Sequence, residues 1–411
     1  MNKIYCFYFL LCSFYCYSQI ETIYDIDRSR PSLTYIGNDT VLALPFSSNN
    51  INILTNNPIS SWYSFKSKKI NLENFIIENN HIEILFSSDN NIFTYSYPMK
   101  YGYLSIGISH HAYAQLILSN NFLNLIWNGN SEYLNQSVNF SNNSLNLLQY
   151  STLYLQYSRE INKFKMGTRV SFIHGINNLS FEKDFFNLNT VNYLETPFST
   201  YISTDIYAQT GSANFLGFSN PGMGLDFSIS YNVSNFNFSA NFENIGFIYW
   251  NNNTFSHQSN TSYLFDGVHY SMDQILSDEI VNTLDTLSDI FAINNNESVS
   301  YLQRLPLNFK FQTSFEINSN SDFFVLLQSI EEINNDKISF FNNYYLGYNK
   351  RLSENLLVIG SYDYNKYSPI NFNLGFVLNY ENFIIKLNTN SLSAFLGQKS
   401  FHLNTALYYL F

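Results

Sequence analysis

From about residue 90 onward, apolar and polar residues alternate along the chain almost one for one. Leu307, Phe309, Phe311, Thr313, Phe315 and Ile317 interleave with Asn308, Lys310, Gln312, Ser314 and Glu316. Ile370, Phe372, Leu374, Phe376 and Leu378 interleave with Asn371, Asn373, Gly375 and Asn379, with Val377 the one apolar intruder. Leu225, Phe227, Ile229 and Tyr231 repeat the pattern, as do Phe236, Phe238, Ala240 and Phe242. Similar runs occur at Phe93–Tyr97, Leu104–Ile108, Phe164–Phe172 and Leu356–Tyr364. Successive side chains of a strand point to opposite faces, so each run predicts a strand with one apolar and one polar face.

Short turn segments separate the runs: Pro98-Met99-Lys100, Arg159–Asn162, Val233-Ser234-Asn235 and Asn318–Ser321. Such spacing predicts antiparallel hairpins. No self-similar period marks a propeller. Many runs approach the roughly 9–11 residues that cross a bilayer on a tilt, against about 5–6 in ordinary strands. Their apolar face is rich in Phe, Tyr and Leu, as a lipid-facing band requires. The expectation is an all-β, transmembrane antiparallel β-barrel over residues 19–411, with a polar lumen. The last stretch, Phe401 to Phe411, is mostly apolar at odd positions and ends on an aromatic, the kind of strand that barrel assembly machinery recognises.

Two regions depart from the alternation. Residues 251–303 (an acidic insertion over about 251–300) break it, and Asp273–Ile293 sets Leu276, Ile280, Leu284, Leu287 and Phe291 on one helical stripe. The opposite face carries Asp273, Asp278, Glu279, Asp285 and Asp289, without the D-x-[DN]-x-[DN]-G pattern of a calcium loop. This predicts a solvated, acidic amphipathic helix in a long loop or across a barrel mouth. The stretch 19–91 is less regular. Leu42–Phe46, Trp62–Phe65 and His81–Phe86 read as short strands, and Asn49–Asn57 and Asn71–Asn80 as polar loops.

Composition changes the picture in one respect. The chain of 411 residues is 18% aromatic but only 12% charged, about half the charge of a soluble domain. Uncharged polarity replaces it: Asn occurs 61 times. Charge is needed only on the loops and lumen of a barrel, so the low value favours the bilayer.

Residues 1–18 (MNKIYCFYFLLCSFYCYS) combine Lys3, an apolar run from Ile4 to Tyr15 and a small Ser18, which reads as an export signal. All three cysteines, Cys6, Cys12 and Cys16, lie within it, so the mature chain is expected to hold no disulfide or thiolate site. Removing Lys3 leaves 19 basic and 31 acidic residues, a net −12, which opposes nucleic-acid binding.

No catalytic signature occurs: there is no G-x-S-x-G, H-E-x-x-H, Walker loop or G-x-G-x-x-G. His110-His111 are adjacent, so on a strand they face opposite sides and cannot share a metal. They read as a strand end at the bilayer interface. Asp226 and Asp363 are expected to point inward and tune lumen polarity. No catalytic, cofactor or metal residues are assigned.

Two patches carry a resemblance. Pro221-Gly222-Met223-Gly224-Leu225-Asp226-Phe227 is followed by Phe238-Ser239-Ala240-Asn241-Phe242-Glu243-Asn244-Ile245-Gly246-Phe247-Ile248-Tyr249-Trp250. With the acidic insertion Asp266–Ile293 and Tyr301-Leu302-Gln303-Arg304-Leu305-Pro306, this resembles the DUF5723 family of Bacteroidota outer-membrane proteins. The resemblance implies kinship in fold with long-chain fatty-acid transporters and type IX secretion barrels, and about 14 strands. Such barrels often carry Asn-Pro-Ala near the mature N-terminus, whereas this chain offers Asn57-Pro58-Ile59, a departure that bears on an N-terminal plug.

The resulting reading is a non-enzymatic protein of the cell outer membrane, without cofactor. It carries hydrophobic small molecules or serves secretion, with outer-membrane lipid, the assembly machinery and a hydrophobic ligand or a protein as partners. The alternative is a secreted soluble β-sheet adhesin or binding protein.

Overall fold

The computed structural model describes residues 33–34, 36, 38–43, 48–56, 63–64, 69–70, 81–128, 131–141, 143–191, 199–215, 217, 219–265, 297–332, 339–367, 371–389 and 399–411. The proposed export signal and the acidic helix Asp273–Ile293 lie outside these residues.

The wall has fourteen positions, all antiparallel. β1 comprises Val41–Ala43 and Ser48–Thr55. β2 is His81–Met99, β3 Gly102–Ser119, β4 Ser144–Ile161 and β5 Phe164–Val191. Three broken strands follow. β6 comprises Ser199–Ser212 and Pro221–Val233, and β7 comprises Phe236–Trp250 and Thr254–Phe265. β8 comprises Glu297–Ser298, Tyr301–Arg304 and Asn308–Asn318. The wall then runs through β9 Ser321–Glu331, β10 Phe340–Ser353, β11 Leu356–Asn365, β12 Asn371–Tyr380, β13 Phe383–Thr389 and β14 Ser400–Leu410. β14 pairs with β13 on one side and with β1 on the other (Val41↔Leu410, Asn49↔Thr405), which closes the barrel. Closure leaves no sheet edge, so every ladder N–H and C=O has a partner where lipid could offer none.

The alternation decides which face meets what. Along β12, Phe372 and Leu374 are 61% and 54% exposed, while Asn371 and Asn373 are 0% and 5%. The same inversion of a soluble core holds on β2 (Tyr95 and Tyr97 out, Thr94 and Ser96 in) and on β4 (Leu153 and Leu155 out, Thr152 and Gln156 in). These outward residues form an apolar belt of the kind that lipid covers, which disfavours the soluble alternative. Aromatic pairs border it at one end: Phe164–Tyr231 at 4.5 Å, Phe236–Phe315 at 4.8 Å and Phe383–Tyr409 at 5.1 Å between ring centroids. That end carries the two-residue turns, among them Asn162-Lys163, Ser234-Asn235 and Glu381-Asn382. Asn162, Ser234 and Glu381 have φ of 59°, 50° and 52° there.

Three sequence expectations need correction. Asn49–Asn57 is mostly strand, not loop: Ser48–Thr55 joins β2 and β14, and Asn50 turns into the lumen. Asparagine content signals a loop only where no lumen needs polar residues. The interruption at 251–303 is shorter than expected, because Thr254–Phe265 pairs with Ser199–Ser212 and extends the wall beyond the belt. His110-His111 are not at a strand end. They sit mid-way along β3, at the outer rim of the belt, and the ladder continues to Ser119. One short helix, α1 (Asn120–Asn128), was not anticipated; its first turn is capped by the Ser119 hydroxyl, which accepts from the Phe122 amide at 3.3 Å.

Candidate functional lumen

The inward residues form layers from the turn end upward. The first layer is divided. On one side, Phe324, Leu326, Leu357, Ile359, Val377, Ile384, Ala406 and Tyr408 meet Val41, Ala43 and Tyr103 in an apolar cluster that fills the lumen. On the other side, β5 to β10 present short polar residues and leave a vestibule of about 570 Å³, lined by residues that include Lys165, Ser239, Asn241, Glu316, Asp322 and Arg351. The chain segment before β1 crosses this mouth. Ser158 Oγ donates to the Leu33 carbonyl at 3.0 Å, and the Tyr103 hydroxyl donates to the Asp39 carbonyl at 3.1 Å. Gly167 makes this approach possible, since a Cβ there would lie 1.5 Å from the Leu33 oxygen.

The second layer is ionic and amidic. Arg169, 1% exposed, donates through Nη1 to Asp226 at 3.1 Å and through Nε and Nη2 to Gln156 at 3.1 and 2.6 Å. Its guanidinium lies 5.0 Å from the Tyr154 ring centre. Asp226 points inward as expected, and its second oxygen accepts from the Asn244 amide at 2.7 Å. Asn244 (φ 62°) is an extra residue on β7, where the register against β6 shifts. A one-residue shift exchanges the two faces. Below it Asn241 and Glu243 face the lumen; above it Ile248 and Trp250 do. Asp226 therefore does more than set polarity: it holds the bulge that turns Trp250 inward. Further round, Asp363 accepts from Asn371 at 3.0 Å and Asn373 at 2.6 Å, and Glu243 accepts from Asn308 at 2.8 Å. These charges are buried but satisfied, which is the condition for their tolerance.

The third layer lies at the outer rim of the belt. His111 faces inward and donates to Asp89 at 2.5 Å, while Tyr150 stacks on its ring at 4.9 Å. His110 faces the other way and lies 5.3 Å from Phe215. The pair is thus split across the wall, as adjacent strand residues must be. Thr152 lies 3.5 Å from His111 Nε2, an acid–imidazole–hydroxyl order, yet it is 3% exposed and lines neither the vestibule nor the small cavities above it.

Beside this set, Leu148, Tyr150, Ile173, Ile248, Trp250 and Leu305 make a second apolar cluster, flanked by Tyr113 and Tyr301. Trp250 Nε1 donates to Gln303 at 3.0 Å, and its ring lies where a Cβ on Gly211 would be 2.5 Å away. At this same level the ladder is interrupted in three neighbouring strands, at 213–220 in β6, 251–253 in β7 and at 299–300 and 305–307 in β8. The Asn220 side-chain oxygen spans two of the breaks, accepting from the amides of Asn251 and Asn252 at 3.0 and 2.9 Å. Between the layers, cavities of about 20 to 60 Å³ remain. At the outer mouth Lys366 bridges Glu332 at 2.6 Å and Glu83 at 3.6 Å. Among the described residues, no group of three or more His, Cys, Asp or Glu is placed to hold a metal ion. Sequence reading missed the Trp250 cluster, because its inward turn depends on the bulge at Asn244.

Among solved structures, the chain is similar to a FadL homologue of Pseudomonas aeruginosa, at 8% identity and TM-score 0.45, covering 91% of this chain and 90% of that one. It is likewise similar to the toluene transporter TodX of Pseudomonas putida (7%, TM-score 0.41, 92% and 90%). The translocator domain of the autotransporter NalP of Neisseria meningitidis is a third (5%, TM-score 0.37, 92% and 91%). No curated protein matches the sequence. Residues 35–389 match the model of DUF5723, a family of unknown function, and the chain belongs to that family.

Proposed function

We propose that this outer-membrane barrel passes small apolar molecules, without catalysis, through its loop-bearing end. The supporting observation is the cluster around Trp250. Above the floor, in a lumen walled mainly by Asn, Ser and ions, aromatic and aliphatic side chains gather at the level where three strands are interrupted. An apolar solute lodged there exchanges contacts with side chains of its own kind rather than breaking hydrogen bonds. Lipid contact along the belt and recognition of β14 by assembly machinery belong to the same proposal.

The test is uptake by proteoliposomes of an apolar aromatic probe such as naphthalene, with a disaccharide as the polar control. The expected result is faster equilibration of the aromatic than in protein-free vesicles, reduced at least tenfold by Trp250→Asp, with the disaccharide excluded. Equal rates with and without protein would leave the barrel as a secretion accessory and overturn the transport reading.

A further inference from the structure

The turn-end vestibule has no part in the reading above. Its volume, about 570 Å³, falls within the roughly 300–1,000 Å³ of small-ligand sites, and its chemistry is that of a peptide site. Carboxamides and hydroxyls from adjacent strands, Asn237, Asn241, Gln312 and Ser314 among them, offer donors and acceptors in alternation. A sugar site would present an aromatic face, but Phe236, the one ring among the described lining residues, packs against Phe238 and Phe315 on the lipid side. The vestibule's edge already holds main chain of this protein: the Leu33 carbonyl accepts from Ser158, and Thr34 lies on the lining.

Charge specifies more. Glu316 on β8 and Asp322 on β9 are direct partners in the ladder, and like charges directly opposed are unfavourable. Asp322 accepts from Asn349 at 2.9 Å, and among the described residues neither carboxylate has an ion pair. Lys165 and Arg351 face the cavity from β5 and β10. Short turns face the periplasm in outer-membrane barrels. We propose that the vestibule binds an extended, polar segment of a periplasmic protein, and that one lysine or arginine of that segment sits between Glu316 and Asp322.

The experiment titrates the full-length protein in detergent with two synthetic decapeptides of Ser, Asn and Gly, one with a central Arg and one with Gln in its place. The Arg peptide is expected to bind at least tenfold more tightly, and the Glu316→Gln/Asp322→Asn double variant to erase that preference. Heat-modifiable gel mobility checks that the variant stays folded; Leu374→Val, on the outer face and away from the vestibule, serves as a control expected to keep the preference. Equal binding of the two peptides, absence of binding, or preference for a maltohexaose would each overturn the proposal. Binding seen only after deletion of residues 19–32 would assign the site to the chain's own N-terminal stretch and overturn the partner.

Discussion

The two sides of the lumen floor are built on one continuous ladder, yet one is filled and the other hollow. On the filled side, Phe324, Ile359, Val377 and Tyr408 reach across from β9, β11, β12 and β14 and interlock with Val41 and Ala43 of β1. On the hollow side, Ser230, Asn237, Ser239 and Ser314 occupy the equivalent inward positions and are too short to meet. The backbone gives no hint of this difference. Barrel radius is set by strand number and tilt, so the inward side chains alone decide whether a given sector is plug or chamber.

Substitutions can break or sharpen this contrast. The largest effect is expected in the ion layer above the floor. Arg169→Leu leaves the buried Asp226 without its cation, and removing one partner of a buried pair costs about 3–5 kcal/mol. Urea unfolding in lipid vesicles, followed by gel mobility, should show it, and an unchanged midpoint would mean that Gln156 and Asn244 suffice. Phe324→Ala on the filled side is expected to cost a similar or slightly smaller amount, about 3–5 kcal/mol for a large buried aromatic. Leu374→Arg tests the outer face of the same sector: a basic residue at the lipid midplane costs about 2–4 kcal/mol, and a neutral outcome would move the belt. Gly167→Val should barely shift the midpoint but expel the Leu33 backbone, read as new protease cleavage within residues 33–40. Ser239→Ala on the hollow side should change stability by no more than about 0.5 kcal/mol. A cost comparable to that of Phe324→Ala would show the chamber to be a packed core after all.

Much of the fold is legible in the alternation, because lipid and lumen impose opposite demands on odd and even positions for the length of each strand. Runs such as Phe372–Phe376 carry that signal undiluted, and so does the inward aim of Asp226 and Asp363. The signal fails where the period slips. The bulge at Asn244 exchanges the faces of β7 midway, so Trp250 reads as a lipid-facing aromatic until the register against β6 is known. It also fails at Asn49–Asn57, where lumen-facing asparagines imitate a loop. Adjacent carboxylates pose a third limit: Glu316 and Asp322 stand six apart in sequence, and only hairpin pairing makes them neighbours.

The 28-residue strand β5 carries a further consequence. At about 3.3 Å per residue its contour is on the order of 90 Å, while the lipid band of such barrels is about 25 Å tall. Even on a tilt of about 40°, more than half of the strand stands clear of the hydrocarbon. The strands β9 to β14 are 7 to 14 residues long, but β5, with the outer halves of β6 and β7 beside it, rises well beyond them on one side of the mouth. Whatever approaches from that side meets the Ser- and Thr-rich outer halves of β6 and β7 before it meets the membrane.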